Sequence, residues 1–498
     1  MKNTKALVAL AMLLTLSAPA LAEVKTEPVP PTPVAADLEQ GKKLYQRYCT
    51  QCHGDEGQGN GPAADFVYPR PRDFTLALFK VRTTLSGQLP TDHDLFHIIS
   101  EGLSGTSMPA WKKFIAENDR WQLVHYVKTF DSLGLFKEEP PQLRVALDSP
   151  PTVDDALIAR GKALYEQKKC WQCHGKGGRG DGTSSAGMKD EWGFPIRPVN
   201  FTKSWRFRGG DRLEDIYRTF TTGFNGTPMP SFVDAIPAAA DRWALAAFVK
   251  SLSRPQKNSQ VLKARALAGE IPADPYASEW EAAAYTDFPL AGQIILEPRW
   301  FKPTHDALTA RALYNDKEVA ILLEWDDGTH DVGADGKPAD AVALQIPVGE
   351  TPGEKPYFIL GDASHPVDYL RWDAAKGLQR QVAEGADKMT PRDVGGFVAQ
   401  GGYKDGQYRV ILRRPLKSGD DNEWQFAPGK FTPIGFHLWD GANGEEGRKM
   451  AISTWYYLLP EPATPLSVFV WPLVLGLGVG GGQFLLARRL RRRSGDAA

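Results

Sequence analysis

The chain has 498 residues, 42% of them hydrophobic and 24% charged, with 59 basic against 60 acidic side chains and a net charge of −1. That length accommodates about three domains of ~150 residues each. Balanced charge implies no nucleic-acid partner, and no nucleotide, phosphate or metal-hydrolase signature occurs in the sequence.

The N-terminus reads MKNTKALVALAMLLTLSAPALA, with Lys2 and Lys5, an apolar run from Ala6 to Leu16, and Ala-Leu-Ala ending at Ala22. This is the pattern of a signal peptide over 1–22, cut before Glu23. Its apolar run is too short to span a bilayer. The proline-rich stretch 23–36 reads as a disordered linker.

All four cysteines lie in two copies of one pattern, CTQCH (Cys49, Cys52, His53) and CWQCH (Cys170, Cys173, His174). Cys-x-x-Cys-His is the attachment signature of a c-type haem. Two thiols at i and i+3 on a helical turn reach the two porphyrin vinyl groups, and the adjacent histidine meets the iron. A redox dithiol needs no histidine there. Zinc usually asks for a second pair about 15–20 residues away, whereas the next pair here begins 118 positions on. Export fits, because covalent haem is attached outside the cytoplasmic membrane.

The surrounding sequence is itself duplicated. GKKLYQRYCTQCHG from Gly41 matches GKALYEQKKCWQCHG from Gly161, PRDFT at 71–75 matches PVNFT at 198–202, and EGLSGTSMPAW at 101–111 matches TGFNGTPMPSF at 222–232. NDRWQLVHYVKTF from Asn118 matches ADRWALAAFVKSL from Ala240, with the period of an amphipathic helix. Met108 follows His53 by 55 positions, and Met229 follows His174 by 55. Each methionine sits in a Met-Pro pair within a glycine-bearing loop, where a thioether can supply the sixth iron ligand. His93, His97 and His125 have no counterparts in the second copy and read as surface or packing residues.

Residues 37–135 and 154–253 each resemble a class I cytochrome c domain. The resemblance implies a small α-helical fold around a nearly buried haem, with helix contacts between the segments at Gly41 and Trp121 and between those at Gly161 and Trp243. It also implies that Pro62 orients His53 through its carbonyl; the second copy has no proline at that place.

A proline-rich seam (137–155) separates the copies, and a polar segment from Ser253 to about Pro275 precedes a different texture. Over 277–460, aromatic and β-branched residues alternate with polar ones, as in VAILLEWDD, AVALQIPVG and QYRVILRRPL, a mainly-β sandwich pattern. The strings LLEWDD, DAVALQIP, PYFILGD, RWDA and FHLWDGANGEEGRKMAISTWYYL are similar to the haem-b-binding gamma subunit of ethylbenzene dehydrogenase. That resemblance implies one b haem between a methionine and a lysine, with Lys449 in the lysine's place. Ile359 and Leu360 stand where the methionine is expected. Another ligand (His365, His437 or Met450), a five-coordinate iron and no haem all stay open.

Near the C-terminus the uncharged apolar stretch 466–487 has the ~20 residues a bilayer demands. Residues 488–498 carry five arginines and predict a basic cytoplasmic tail. The expectation is thus two cytochrome c domains, a β sandwich and one transmembrane helix, with the body on the periplasmic side of the bacterial inner membrane. Two haem c, and a b haem if the sandwich holds one, would relay single electrons. The expected partners are the catalytic and iron–sulfur subunits of a periplasmic molybdoenzyme, together with a soluble cytochrome c or a quinone-linked carrier. A dihaem peroxidase or sulfur-compound oxidase with an open iron is the alternative. A third reading makes the sandwich a docking or sugar-binding module.

Overall fold

The computed structural model describes residues 25–138, 142–334, 336–350, 353–420, 423–462 and 467–495. The signal peptide expected over 1–22 lies outside the described residues. The chain forms two compact units, Met1–Gln256 with 326–329 and 404–407, and Lys257–Ala498 without those two stretches.

The first unit is helical and repeats itself. The first copy contains α1 (Leu38–Tyr48), α2 (Thr50–His53), α3 (Asp92–Glu101) and α4 (Glu117–Lys128). The second contains α5 (Asp155–Gln167), α6 (Trp171–His174), α7 (Leu213–Thr222) and α8 (Ala239–Ser251). Side chains that accept from orphan helix N–H groups set several starts. Asp37 caps α1, Asp154 caps α5, and Thr91 with Asp94 forms a capping box on α3. First and last helices of each copy cross at a glycine. A Cβ on Gly41 would strike the Gln122 carbonyl oxygen, and one on Gly161 the Ala244 carbonyl oxygen. Glycine is therefore what allows α1 to meet α4, and α5 to meet α8, at backbone distance. Tyr45, Trp121 and Val124 centre one core, and Tyr165, Trp243 and Phe248 the other.

The leader is not the disordered linker its composition suggests. Strand β1 (Thr26–Pro28) pairs antiparallel with β2 (Leu143–Val145), which comes from the proline-rich seam. Carbonyls of Pro30, Val34 and Ala35 accept from His93, His125 and Gln122, and Thr32 donates to Asp92. Proline removes donors but leaves carbonyls free, so a proline-rich strap docks through its acceptors. His93 and His125 are thus packing residues, and His97 is exposed.

The second unit is mainly β. Its strands are β3 (Val261–Ala266), β4 (Thr286–Pro289), β5 (Ala291–Gly292), β6 (Ala307–Tyr314), β7 (Glu318–Asp326), β8 (Ala341–Pro347), β9 (Val367–Asp373), β10 (Gly377–Ala383), β11 (Met389–Arg392), β12 (Val398–Lys404), β13 (Gln407–Pro415), β14 (Thr432–Trp439), β15 (Ala451–Ile452) and β16 (Tyr456–Pro460). The order runs β11-β10-β9-β8-β14-β16-β3-β6-β7-β13-β12. β14 joins two sheets: Thr432–Ile434 pair with β16, while Gly435–Trp439 pair with β8. Such a strand switch folds one ladder into two facing layers. Phe288, Ile321, Trp325, Leu344, Val410 and Phe436 pack in the shared core. The chain then forms the helix Ser467–Gly495, in which Val470–Ala487 are long and apolar enough to cross a membrane.

Candidate haem-binding sites

Both CxxCH segments fold as one helical turn, α2 and α6, closed by a glycine of positive φ (Gly54, Gly175) whose N–H returns to Thr50 or Trp171. A tyrosine of the preceding helix braces each turn: Tyr45 OH donates to the Gly54 carbonyl at 2.9 Å, and Tyr165 OH to the Gly175 carbonyl at 2.6 Å. The four thiols are free and half-buried. Burial and the neighbouring Cys52 push the Cys49 thiol up to about 12, and burial pushes Cys170 up to about 11.

Each histidine is tied from behind. His53 Nδ1–H donates to the Arg72 carbonyl at 3.0 Å, and His174 Nδ1–H donates to the Val199 carbonyl at 3.2 Å. That bond fixes the tautomer and leaves Nε2 as the lone-pair nitrogen a metal takes. Burial lowers both imidazoles, His174 to about 4, so they are neutral, as ligation requires. Phe74 stacks on His53 at 4.5 Å and Phe201 on His174 at 4.2 Å.

Pro62 is not the residue that orients His53; the Arg72 carbonyl is. Pro62 follows Gly61, whose N–H is taken by the Cys52 carbonyl at 3.2 Å, so that turn serves the CxxCH segment instead. Arg72 and Val199 occupy the same place in the PRDFT and PVNFT strings. The second copy therefore loses nothing by lacking the proline.

The methionine loops also repeat. Leu103 N donates to the Met108 carbonyl and Phe224 N to the Met229 carbonyl. Met108 N donates to Thr106 Oγ1 at 3.1 Å, and Met229 N to Thr227 Oγ1 at 3.2 Å. Gly102 and Gly223, both at positive φ, let α3 and α7 end against these loops, where a Cβ would strike the Met108 carbonyl oxygen or the Ser231 nitrogen. Both methionines are half-buried. Two thiols, a neutral imidazole and a thioether in each copy are the donor set of a c haem. Each copy also buries an indole N–H that finds no acceptor among the described residues, Trp121 in one and Trp243 in the other. A donor orphaned at the same place twice fits a prosthetic group that completes both cores. Arg72, Val199, Thr106 and Thr227 were not singled out by the sequence reading, although each lies inside a matched string of the duplication.

In the β unit, Lys449 is half-buried, with Nζ 5.6 Å from the Trp300 ring centre. Its neighbour Met450 points into a core that also holds Ile359 and Leu360. His365 lies between Glu354 (3.2 Å) and Asp362 (3.6 Å). His437 is fully buried and shares a 3.0 Å hydrogen bond with Tyr369, while its Nε2 has no protein partner. Lys449 stands where the resemblance expects a haem b lysine, and Ile359 and Leu360 stand where it expects the methionine. Of the two side chains expected to hold a b haem, the residues present supply the lysine alone.

These features define a tandem c-type cytochrome carrying an additional β domain. Residues 36–127 match the family "Cytochrome C oxidase, cbb3-type, subunit III", residues 158–253 match "Cytochrome c", and residues 390–451 match "Ethylbenzene dehydrogenase". The chain thus carries two cytochrome c-type domains followed by an ethylbenzene dehydrogenase gamma-like domain.

Among curated relatives, it is 24% identical over 234 residues to the "Putative respiratory nitrate reductase heme subunit ORF7" of Haloferax mediterranei, spanning 46% of this chain and 84% of that one. It is 26% identical over 228 residues to the chlorate reductase subunit gamma of Ideonella dechloratans, spanning 44% and 92%. A chain from a reducing HAO-like protein complex of Kuenenia stuttgartiensis is 41% identical over 44% of this chain and all of its own, with a TM-score of 0.42.

Proposed function

We propose that this protein is a membrane-anchored haem subunit that relays single electrons for a respiratory oxidoreductase. One c haem is bound through Cys49 and Cys52 and ligated by His53 and Met108; the other uses Cys170, Cys173, His174 and Met229. The observation that carries this is the twofold repetition of a tied, neutral histidine and a fixed Met-Pro loop in each copy. His53 with Met108, and His174 with Met229, would then supply two protein ligands to each iron and leave no position for a substrate.

When bound, haem supplies the one-electron chemistry. The chain's residues fix the ligand tautomer and hold the thioether loop. A dihaem peroxidase or sulfur-compound oxidase needs an open iron, and neither curated relative supports it. One of those relatives is named as a heme subunit of a respiratory nitrate reductase and the other as the gamma subunit of a chlorate reductase. This favours a molybdenum and iron–sulfur enzyme as the partner, with a soluble cytochrome or quinone-linked carrier on the other side. The apolar C-terminal helix would tether the body to the periplasmic face of the inner membrane, with residues 488–498 in the cytoplasm.

The test is a pyridine haemochrome assay on the exported, haem-loaded chain, with absorption and spin-state spectra. Two c haems per chain, both low-spin with a methionine-to-iron band, are expected. Fewer than two, or a high-spin iron that binds peroxide, would overturn the reading.

A further inference from the structure

The two cytochrome copies keep 55 positions from histidine to methionine but divide them differently, the second being longer before its PxxFT string and shorter after it. Pro71 follows His53 by 18 positions, whereas Pro198 follows His174 by 24. The six additional residues before PVNFT fall around 189–195. They form a tight loop: Lys189 bridges Pro195, Asp190 N donates to the Phe194 carbonyl, and Asp190 Oδ1 accepts from Trp192 N and Phe194 N.

This loop reaches the first copy. Tyr68 OH donates to the Pro195 carbonyl at 3.2 Å, and the Arg70 guanidinium lies 4.6 Å from the Phe194 ring centre. Lys80 Nζ lies 3.3 Å from Asp190 Oδ2, with both side chains largely buried. The Arg72 guanidinium stacks 4.1 Å over Trp192. Arg72 is the residue whose carbonyl holds His53. Trp192 also meets Gly226, where a Cβ would lie 2.7 Å from the indole, three residues before Met229. The indole N–H of Trp192 is buried without a protein acceptor. The two copies are also electrically unlike, because the counterpart of Arg72 is the uncharged Val199.

We propose that segment 189–195 is an inter-haem clasp whose Asp190 and Trp192 set the reduction potential of the first haem apart from that of the second. The inference rests on the two-haem reading above. Arg72 and Lys80 place positive charge beside the first haem, which favours its reduced, less positive state. Asp190 offsets part of that charge, and Trp192 fixes where the Arg72 guanidinium sits. These are positioning residues: none is an iron ligand.

The test is a spectroelectrochemical titration of the full haem-loaded chain with Asp190→Asn, Trp192→Ala and Trp192→Phe. A Met229→His background marks the second haem by its lowered potential. Asp190→Asn should raise the first haem's potential. Loss of one buried charge within ~10 Å at an effective dielectric of ~20 is worth on the order of tenfold in a reduction equilibrium. Trp192→Ala should shift the same haem, and Trp192→Phe, which keeps a ring under Arg72, should restore it. Haem content and the methionine-to-iron bands are recorded first. Fewer than two haems or a missing band in the parent chain would sink the two-haem reading itself. With two haems and both bands in the parent chain, and the remaining methionine-to-iron band kept in the Met229→His background, unmoved potentials, or a shift confined to the second haem, would overturn the clasp.

Discussion

At the residue scale, the histidines and methionines act through the groups behind them. Met108 and Met229 have their backbone held on both sides, by a threonine hydroxyl and by a partner N–H one turn earlier in the loop. A soft thioether held in place raises the potential of the iron it meets. Met108→Ala should therefore abolish one of the two methionine-to-iron bands. It should also lower one potential by an appreciable part of the roughly 0.8 V range that axial ligands command. Redox titration of the variant checks this, and an unchanged pair of waves would place Met108 off the iron. The CxxCH and Met-Pro strings were legible because their side chains carry the chemistry. The supports at Arg72 and Val199 were not, since a backbone carbonyl leaves no mark on residue identity.

At the element scale, the leader and the sandwich are held by polar contacts that composition does not show. Burial by itself would raise Asp92, but hydrogen bonds from Lys128 and Thr32 hold it below the usual carboxylate range. A depressed folded value means its stabilisation is present above the unfolded value of about 3.9. It is lost as pH falls through the lower folded value. Limited proteolysis should thus find residues 25–36 increasingly cleavable below pH ~4, and Asp92→Ala should show that sensitivity already at neutral pH.

In the β unit, Arg380 grips Asp368 in a two-pronged bond of 2.8 and 2.7 Å, with both side chains nearly buried. Removing one partner of a buried pair strands the other charge and costs about 3–5 kcal/mol. Arg380→Met should lower the thermal midpoint of the β unit accordingly, while the c haem count stays at two. The alternating strands were readable from sequence. The place where β14 leaves one sheet for the other was not, because it depends on which neighbours Thr432–Ile434 and Gly435–Trp439 find.

At the scale of the whole molecule, two compact units and an apolar C-terminal helix imply separable roles of redox relay, β module and anchor. Val470–Ala487 are exposed along the helix and carry no charge, a surface that water does not tolerate and lipid does. A chain ending after residue 462 should move from the membrane to the soluble fraction with both c haems bound. Membrane fractionation with haem staining would show it, and retention in the membrane would point to another anchor. The resemblance of the β unit to a haem-b-binding subunit carries Lys449 but not its partner. Ile359 and Leu360 fill the core at that position with atoms that cannot ligate iron.

The sequence by itself determined which atoms are offered for attachment: thiols at fixed spacing, adjacent histidines, and a methionine 55 positions later in each copy are local patterns, and covalent or coordinate chemistry depends on residue type. Tertiary structure alone decided what surrounds those atoms. The leader's carbonyls become acceptors only once α3 and α4 stand beside them. Arg72 becomes a histidine support only when the chain closes its loop. The longer stretch before PVNFT in the second copy becomes a contact with the first only because folding brings 68–80 and 189–195 together, and electrostatic and packing forces act on distance in space and not along the chain.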